Sequence, residues 1–348
     1  MRRVSRPLVP AERDKRPGLS YALTEDGLEL PVIDVTHSAF HLDIDPHTLQ
    51  ALTEKAILDM DQQERIPRLL RGLFLQAYLR GSRLGGAIAR SRHTYLDGIS
   101  TYIMKLGPDN LGAAASAPVD RLIAASLPCL CARLRLQQLA ALLARGLAPI
   151  LEAHPGGALT LLTIAGGAAA DSLNTLLILR RDAPDLLSGR KIRIEVLDRD
   201  SVGPAFAGRA LAALRSEGAP LAGVDASLEH RSYDWSNPEP LEKRVELCSA
   251  GGGIVAGISE GGLFDYAADE EVTGNLAALA KGAPDRTLVA GTVGRVDGFR
   301  KRFTASGGAA LKLRELDRVV DLCEQAGFRL FQREESPLSY SFSLRRAP

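Results

Sequence analysis

Four short stretches of this chain carry residues that could do chemistry. Gly166-Gly167 follows the apolar run LTLLTIA (159–165) and precedes Asp171, Ser172 and a helical series. A strand that meets glycines and opens into a helix offers bare backbone and a helix N-terminus to a ligand. Asp198 closes a second run, IRIEVLD, and Asp234-Trp235 closes a third, SLEHRSYD. A carboxylate at a strand end accepts hydrogen bonds from a ligand's hydroxyl or amino groups, and an aromatic neighbour covers a flat ring. The fourth run, GGIVAGIS, leads into Glu260-Gly261-Gly262, then Asp265-Tyr266 and Asp269-Glu270-Glu271. In an open α/β sheet such loops gather at the carboxyl ends of neighbouring strands.

The elements that must position these residues follow from periodicity. After about residue 155, strand-like runs alternate with helical ones. DSLNTLLILRR, PAFAGRALAALRSEG, DEEVTGNLAALAK and LKLRELDRVVDLCEQAG are the helical partners. This β-α alternation argues a parallel sheet covered on both faces. RTLVAGTV adds a fifth strand, and FRLFQRE and SYSFSLRR, joined at Ser336-Pro337, should pair antiparallel. Residues 31–150 read as helical instead. Asp45-Pro46 is a start signal ahead of Leu49, Leu52 and Ala56; Leu69, Leu70, Leu73, Phe74 and Ala77 make a second helical series. Pro118 and Asp120 open a third element, which Pro128 should kink or divide. Residues 1–30, rich in Arg and Pro, are expected to be an arm. The expected domains are therefore an arm (1–30), a helical lid (31–150) and an α/β domain (151–348).

Composition narrows the partners. The 348 residues hold 43 basic and 42 acidic groups, a net charge of +1, so no whole-chain field favours nucleic acid or anionic lipid. Cys129, Cys131, Cys248 and Cys323 lack zinc spacing and read as thiols in a reducing compartment. The first residues carry charge without an apolar core, and no uninterrupted apolar span has membrane length. A cytoplasmic protein with a small-molecule substrate is expected, contacting neither nucleic acid nor membrane, with a homodimer allowed.

A parallel five-stranded sheet ending in an antiparallel hairpin resembles the class I S-adenosylmethionine-dependent methyltransferases, from about residue 155 to the end. The resemblance implies a Rossmann-like, mostly parallel seven-stranded sheet behind an N-terminal helical domain, with S-adenosyl-L-methionine as cofactor. It implies that the first loop wraps the cofactor's methionine part, that Asp198 takes the ribose (Asp200 being the register alternative), and that Asp234 and Trp235 meet adenine. The segment from Glu260-Gly261 to Tyr266 and the acidic helix start at Asp269 is similar to leucine carboxyl methyltransferase-like enzymes, including polyketide O-methyltransferases. Tyr266 stands one residue later than in that pattern. The cofactor contacts expected are Ala165, Gly166, Gly167, Asp171, Asp198, Arg199, Asp234, Trp235, Ser259, Glu260 and Arg133. His93, Tyr102 and Tyr266 are the candidates facing the reacting groups, and Arg135 shares the cation role with Arg133.

Other chemistries were open. A dinucleotide site needs G-x-G-x-x-G, but the string here is Gly166-Gly167-Ala168-Ala169-Ala170-Asp171. An acid there would also oppose a pyrophosphate at the helix N-terminus, which suits a cofactor bearing a sulfonium and an ammonium better. Asp265, Asp269, Glu270 and Glu271 invite a metal. Their simpler account is a capping Asp269 with two glutamates in a first helical turn, and no metal is expected. The expected activity is methyl transfer to a hydroxyl or carboxylate oxygen, with a catalytically silent binding protein and an NAD-dependent oxidoreductase as alternatives.

Overall fold

The computed structural model describes residues 9–10, 12–64, 81–91, 95–282, 287–296 and 311–347. Seven strands form the main sheet: β3 (Leu159–Ile164), β4 (Ile192–Leu197), β5 (Ala226–Arg231), β6 (Ile254–Glu260), β7 (Leu288–Gly294), β8 (Phe328–Glu335) and β9 (Ser339–Arg346). Their order is β5-β4-β3-β6-β7-β9-β8. β3 pairs parallel with β4 and β6, and β4 with β5 and β6 with β7 do the same. β9 runs antiparallel between β7 and β8. This is the Rossmann-like sheet with a C-terminal hairpin that the alternation predicts.

The central runs are apolar throughout because those strands are buried on both faces. Leu159, Leu161, Ile194 and Val196 face one layer; Leu162, Ile164, Val255 and Val289 face the other. On the first face lie α5 (Leu127–Ala153), α6 (Ala170–Asp182) and α7 (Val202–Leu214). On the second lie α8 (Glu239–Ser249), α10 (Asp269–Lys281) and α11 (Leu316–Gln325). The short α9 (Leu263–Tyr266) follows β6. Sequence periodicity does not register α8, whose Leu241, Val245 and Cys248 are the buried stripe of an otherwise charged helix.

Ahead of the sheet lie α1 (Pro46–Glu64), α2 (Arg83–Arg90), α3 (Gly98–Lys105) and α4 (Pro118–Ala124). Asp45 caps α1 through Thr48 N at 2.9 Å. Pro128 divides the third helical element, standing in the first turn of α5 where its missing N–H costs nothing. The buried Asp120 carboxylate joins α4 to α2, accepting from Ala117 N at 2.9 Å and Leu84 N at 2.9 Å. The helical series at Leu69–Ala77 lies outside the described residues.

The later part of the expected arm is structured. β1 (Tyr21–Leu23) and β2 (Glu29–Pro31) pair antiparallel, and Leu28 and Leu30 are buried in the same core as the sheet's first face. The signal was Asp26-Gly27 between short apolar runs, a hairpin turn whose glycine has φ 82°. Among the described residues no helix is long and apolar enough to cross a membrane. All four cysteines are buried.

Candidate functional site

A cavity of about 330 Å³ opens at the carboxyl edge of the sheet, where the chain leaves β3 for one side and returns at β6 on the other. That reversal in strand order is where open α/β sheets bind ligands. The sheet supplies Ala165–Ala168 and Ala170 after β3, Leu197–Asp200 around the end of β4, Tyr233 and Trp235 after β5, and Glu260–Gly262 and Tyr266 around β6 and α9. The facing wall comes from the N-terminal part: Tyr95–Gly98, Thr101, Tyr102 and Lys105, with Arg135 from α5.

The first loop is tightly built. Its backbone is left-handed at Ala165 (φ 52°), Gly167 (φ 49°) and Ala169 (φ 49°). For each alanine this conformation costs about 1–2 kcal/mol, a strain characteristic of loops held for function. The glycines do a different job from the one expected. A Cβ at Gly166 would lie 2.2 Å from the Thr163 methyl, and one at Gly167 would lie 3.1 Å from Gly98 Cα. Protein, not ligand, fills both spaces. Gly98, Gly167 and Gly203 meet backbone to backbone, which docks the starts of α3 and α7 on the loop. Asp97 sets the start of α3, accepting from Ser100 N at 2.7 Å.

Asp198 lines the cavity at the end of β4. Its Oδ2 accepts from Gly167 N at 2.8 Å and its Oδ1 from Asp200 N at 2.9 Å. Burial nevertheless pushes its pKa up from the ordinary carboxylate value, against those two bonds. Each oxygen keeps a second lone pair for a ligand hydroxyl. Asp200 also lines the cavity, but its oxygens cap α7 through Val202 N at 3.0 Å and Gly203 N at 3.2 Å.

β4 and β5 are neighbours, and their ends are tied by Asp198 N to Arg231 O at 3.1 Å and Tyr233 N to Asp198 O at 3.3 Å. Only part of the Tyr233-Asp234-Trp235 stretch reaches the cavity. Trp235 lines it, but the Asp234 carboxylate turns back to accept from Ser236 N at 3.1 Å and pairs with Arg199 at 3.2 Å. Asp234 is absent from the lining because its own turn consumes it. Arg199 lines the rim, largely exposed.

The floor is a buried charge row. Glu260 Oε2 accepts from Lys105 Nζ at 2.6 Å and Oε1 from Arg135 Nε at 3.3 Å. Arg135 also reaches Asp265 Oδ2 at 3.3 Å, and Asp265 Oδ1 accepts from Gly294 N at 2.7 Å. The Lys105 and Glu260 side chains are only 7% and 6% exposed. Gly261, at φ 69°, leaves room for the Arg135 guanidinium, since a Cβ there would lie 2.7 Å from it. Above the floor, Tyr95 stands edge-on to Trp235 at 5.6 Å and to Tyr266 at 5.1 Å between centroids.

Several expected residues are placed away from the cavity, each for a visible reason. Asp171 is buried in the first turn of α6, outside the lining, and accepts from Ser172 N at 2.6 Å. Ser259 donates to Ile164 O at 3.0 Å and accepts from Leu263 N at 3.0 Å, so it joins β6 to β3 and α9. Arg133 is held against Gly107, away from the lining; Arg135, two residues on, takes the cation's place. Tyr102 lines the cavity, yet its hydroxyl donates to Pro31 O and accepts from Ile33 N, both at 2.8 Å. A hydroxyl satisfied on both sides by backbone is an anchor for the β2 segment. Asp269 does not cap its helix: it pairs with Arg314 and Arg318, both at 2.7 Å, and the cap is Glu271 on Ala268 N. His93 lies outside the described residues. Lys105 and Asp97 were missed by the sequence, because a lone lysine at a helix end reads as an ordinary C-terminal residue and a single Asp before a helix as a cap; Tyr95 stood in the sequence only as a neighbour of His93.

Burial first, then the nearby Glu260 charge, pushes the Asp171 pKa up to about 7. A folded-state pKa above the unfolded one stabilises at low pH, and that contribution is lost as pH rises through the folded value. Asp171→Asn, which keeps an acceptor for Ser172 N, should therefore raise the melting temperature by several degrees at about pH 8 and much less at about pH 5. Equal shifts at the two pH values in a melting series would show that Asp171 is not held in this way.

No family model and no curated protein matches the chain. Among solved structures, a possible exported protein from Bordetella parapertussis is similar with a TM-score of 0.58 and 19% identity, over 88% of this chain and 100% of that one. At that identity the likeness shows the fold. LepI in complex with SAM has a TM-score of 0.46 and 13% identity, over 87% of this chain and 95% of that one. Magnesium protoporphyrin IX methyltransferase from Synechocystis PCC 6803 with bound SAH has a TM-score of 0.42 and 13% identity, over 63% and 87%. Both scores are too low to bear on function.

Proposed function

We propose that this chain is an S-adenosylmethionine-dependent methyltransferase acting on oxygen of a small molecule. The observation that carries the proposal is Asp198: a carboxylate pinned at the end of the second strand, at the strand-order reversal, on a cavity shared with Trp235 and Glu260. The cavity's donor set fits the cofactor. Asp198 accepts from ribose hydroxyls, Trp235 and Tyr233 offer aromatic surface to adenine, and Glu260 can accept from an ammonium while Arg135 faces a carboxylate. When bound, the cofactor supplies a methyl group on a sulfonium.

The protein's own task is placement. Tyr95, Trp235 and Tyr266 line the cavity with joined aromatic rings, and the first loop is tied in place by Asp198 and by its contacts with Gly98 and Gly203. A nicotinamide cofactor is disfavoured on two counts: the third glycine is missing, and a second one is committed to packing against Gly98 and Gly203. The finer reading of the partners follows the same line, a small molecule rather than a polymer, in a reducing, cytoplasmic setting that suits four buried cysteines.

Calorimetric titration with S-adenosylhomocysteine and with NADH tests the proposal. S-adenosylhomocysteine should bind and NADH should not; binding of NADH alone would overturn it. A protein that binds S-adenosylhomocysteine, yet transfers no label from methyl-labelled cofactor across a hydroxyl and carboxylate panel, would be a silent relative.

A further inference from the structure

Lys105 is the buried cation that the cofactor reading leaves unused. It ends α3, is 7% exposed, and lines the cavity. An ammonium has three donors. One goes to Glu260 Oε2 at 2.6 Å, and the other two have no protein partner among the described residues. A buried donor left without an acceptor is costly, so a site that keeps one is built for an acceptor that arrives with the ligand.

The position of Lys105 indicates which ligand. Thr101 and Lys105 are one turn apart on the same face of α3, and with Tyr95 they make the wall opposite the sheet's rim. Tyr266 lines the same cavity and its ring touches that of Tyr95. The apolar surface there is aromatic: Tyr95, 51% exposed, stands edge-on to both Trp235 and Tyr266. An exposed ring between two others offers stacking and edge contacts to a flat ligand.

We infer that the acceptor is a planar acid, a small molecule with a carboxylate or phenolate oxygen on a flat ring. Lys105 is its specificity-determining residue, holding the anionic oxygen with its two remaining N–H groups while the joined Tyr95 and Tyr266 rings cover one side of the flat ring. An oxygen that arrives without its proton needs no base from the protein. This inference rests on the cofactor reading above and adds the acceptor class to it.

The test uses the full chain saturated with S-adenosylhomocysteine, followed by calorimetry and by the fluorescence of Trp235, the chain's single tryptophan. Benzoate is compared with benzamide, and 4-cyanophenol, ionised at mildly alkaline pH, with its methyl ether. At least one acid should bind about 10- to 100-fold more tightly than its neutral partner and perturb Trp235 emission. Which of the two does so separates a carboxylate from a phenolate acceptor. Lys105→Met should abolish the preference while S-adenosylhomocysteine still binds, Lys105→Arg should retain it, and Tyr95→Ala should weaken acid and neutral probe alike. Equal binding of acid and neutral probes to the wild type overturns the inference and leaves the cofactor reading standing. So does a preference that survives Lys105→Met, or a Lys105→Met protein that loses S-adenosylhomocysteine while Lys105→Arg keeps it, which would give the ammonium to the cofactor. A wild type that does not bind S-adenosylhomocysteine overturns both.

Discussion

Asp198→Ala should weaken S-adenosylhomocysteine binding by about 10- to 100-fold, the range for stranding buried polar partners. Two losses combine. The ligand's hydroxyls lose their acceptor, and Gly167 N and Asp200 N lose the carboxylate that fixes the first loop against the end of β4. Asp198→Asn separates them, because the amide oxygen can keep one backbone bond while the charge is gone. Asp200→Ala is the matching control. It removes a cap on α7, worth about 1 kcal/mol of stability, and should leave affinity nearly unchanged. If affinity is unchanged in a folded Asp198→Ala protein and falls in Asp200→Ala, the ribose contact belongs to Asp200.

Gly203→Ala is expected to damage stability and the site together. Its Cβ would lie 2.8 Å from the Gly167 carbonyl carbon, and that neighbour is backbone, which cannot swing aside. Either α7 or the first loop must shift, and such overpacking costs about 1–3 kcal/mol. Because the same loop lines the cavity, S-adenosylhomocysteine affinity should fall with stability. The control lies in the same helix. Gly208→Ala meets nothing within 4 Å, so it should gain about 0.5–1 kcal/mol from helix propensity and leave affinity alone. Melting temperatures and titrations of the pair decide it. Similar behaviour of the two variants would mean that the close approach of α7 to the loop is not maintained in solution.

Much of the α/β layer was legible in the sequence. Its central strands are continuous apolar runs because each is buried on two faces, and most of its helices carry stripes wide enough to read. What escaped notice was locally ambiguous. The charged face of α8 outweighs its three buried residues, and the β1–β2 hairpin is too short for alternation to stand out. At the site, the strand-end positions were legible because strand and loop boundaries are written in local composition. The partners of each carboxylate were not. Asp198, Asp234 and Asp171 are all short acids beside a turn or helix start, and all three found backbone donors nearby.

From the sequence alone came the order of strands and helices, the edge of the sheet on which ligands collect, and the mismatch with a dinucleotide loop. These depend on periodicity and on glycine spacing, which act over a few residues. Only the tertiary structure decided that Asp198 faces the cavity while Asp234 closes its own turn. It also decided that Arg135 rather than Arg133 reaches the floor, and that Lys105 stands opposite Glu260, 155 positions away. A short polar side chain can satisfy itself locally or face a ligand at similar cost. The choice is made by neighbours distant in the chain, such as Arg199 across from Asp234 and Gly98 pressed on Gly167.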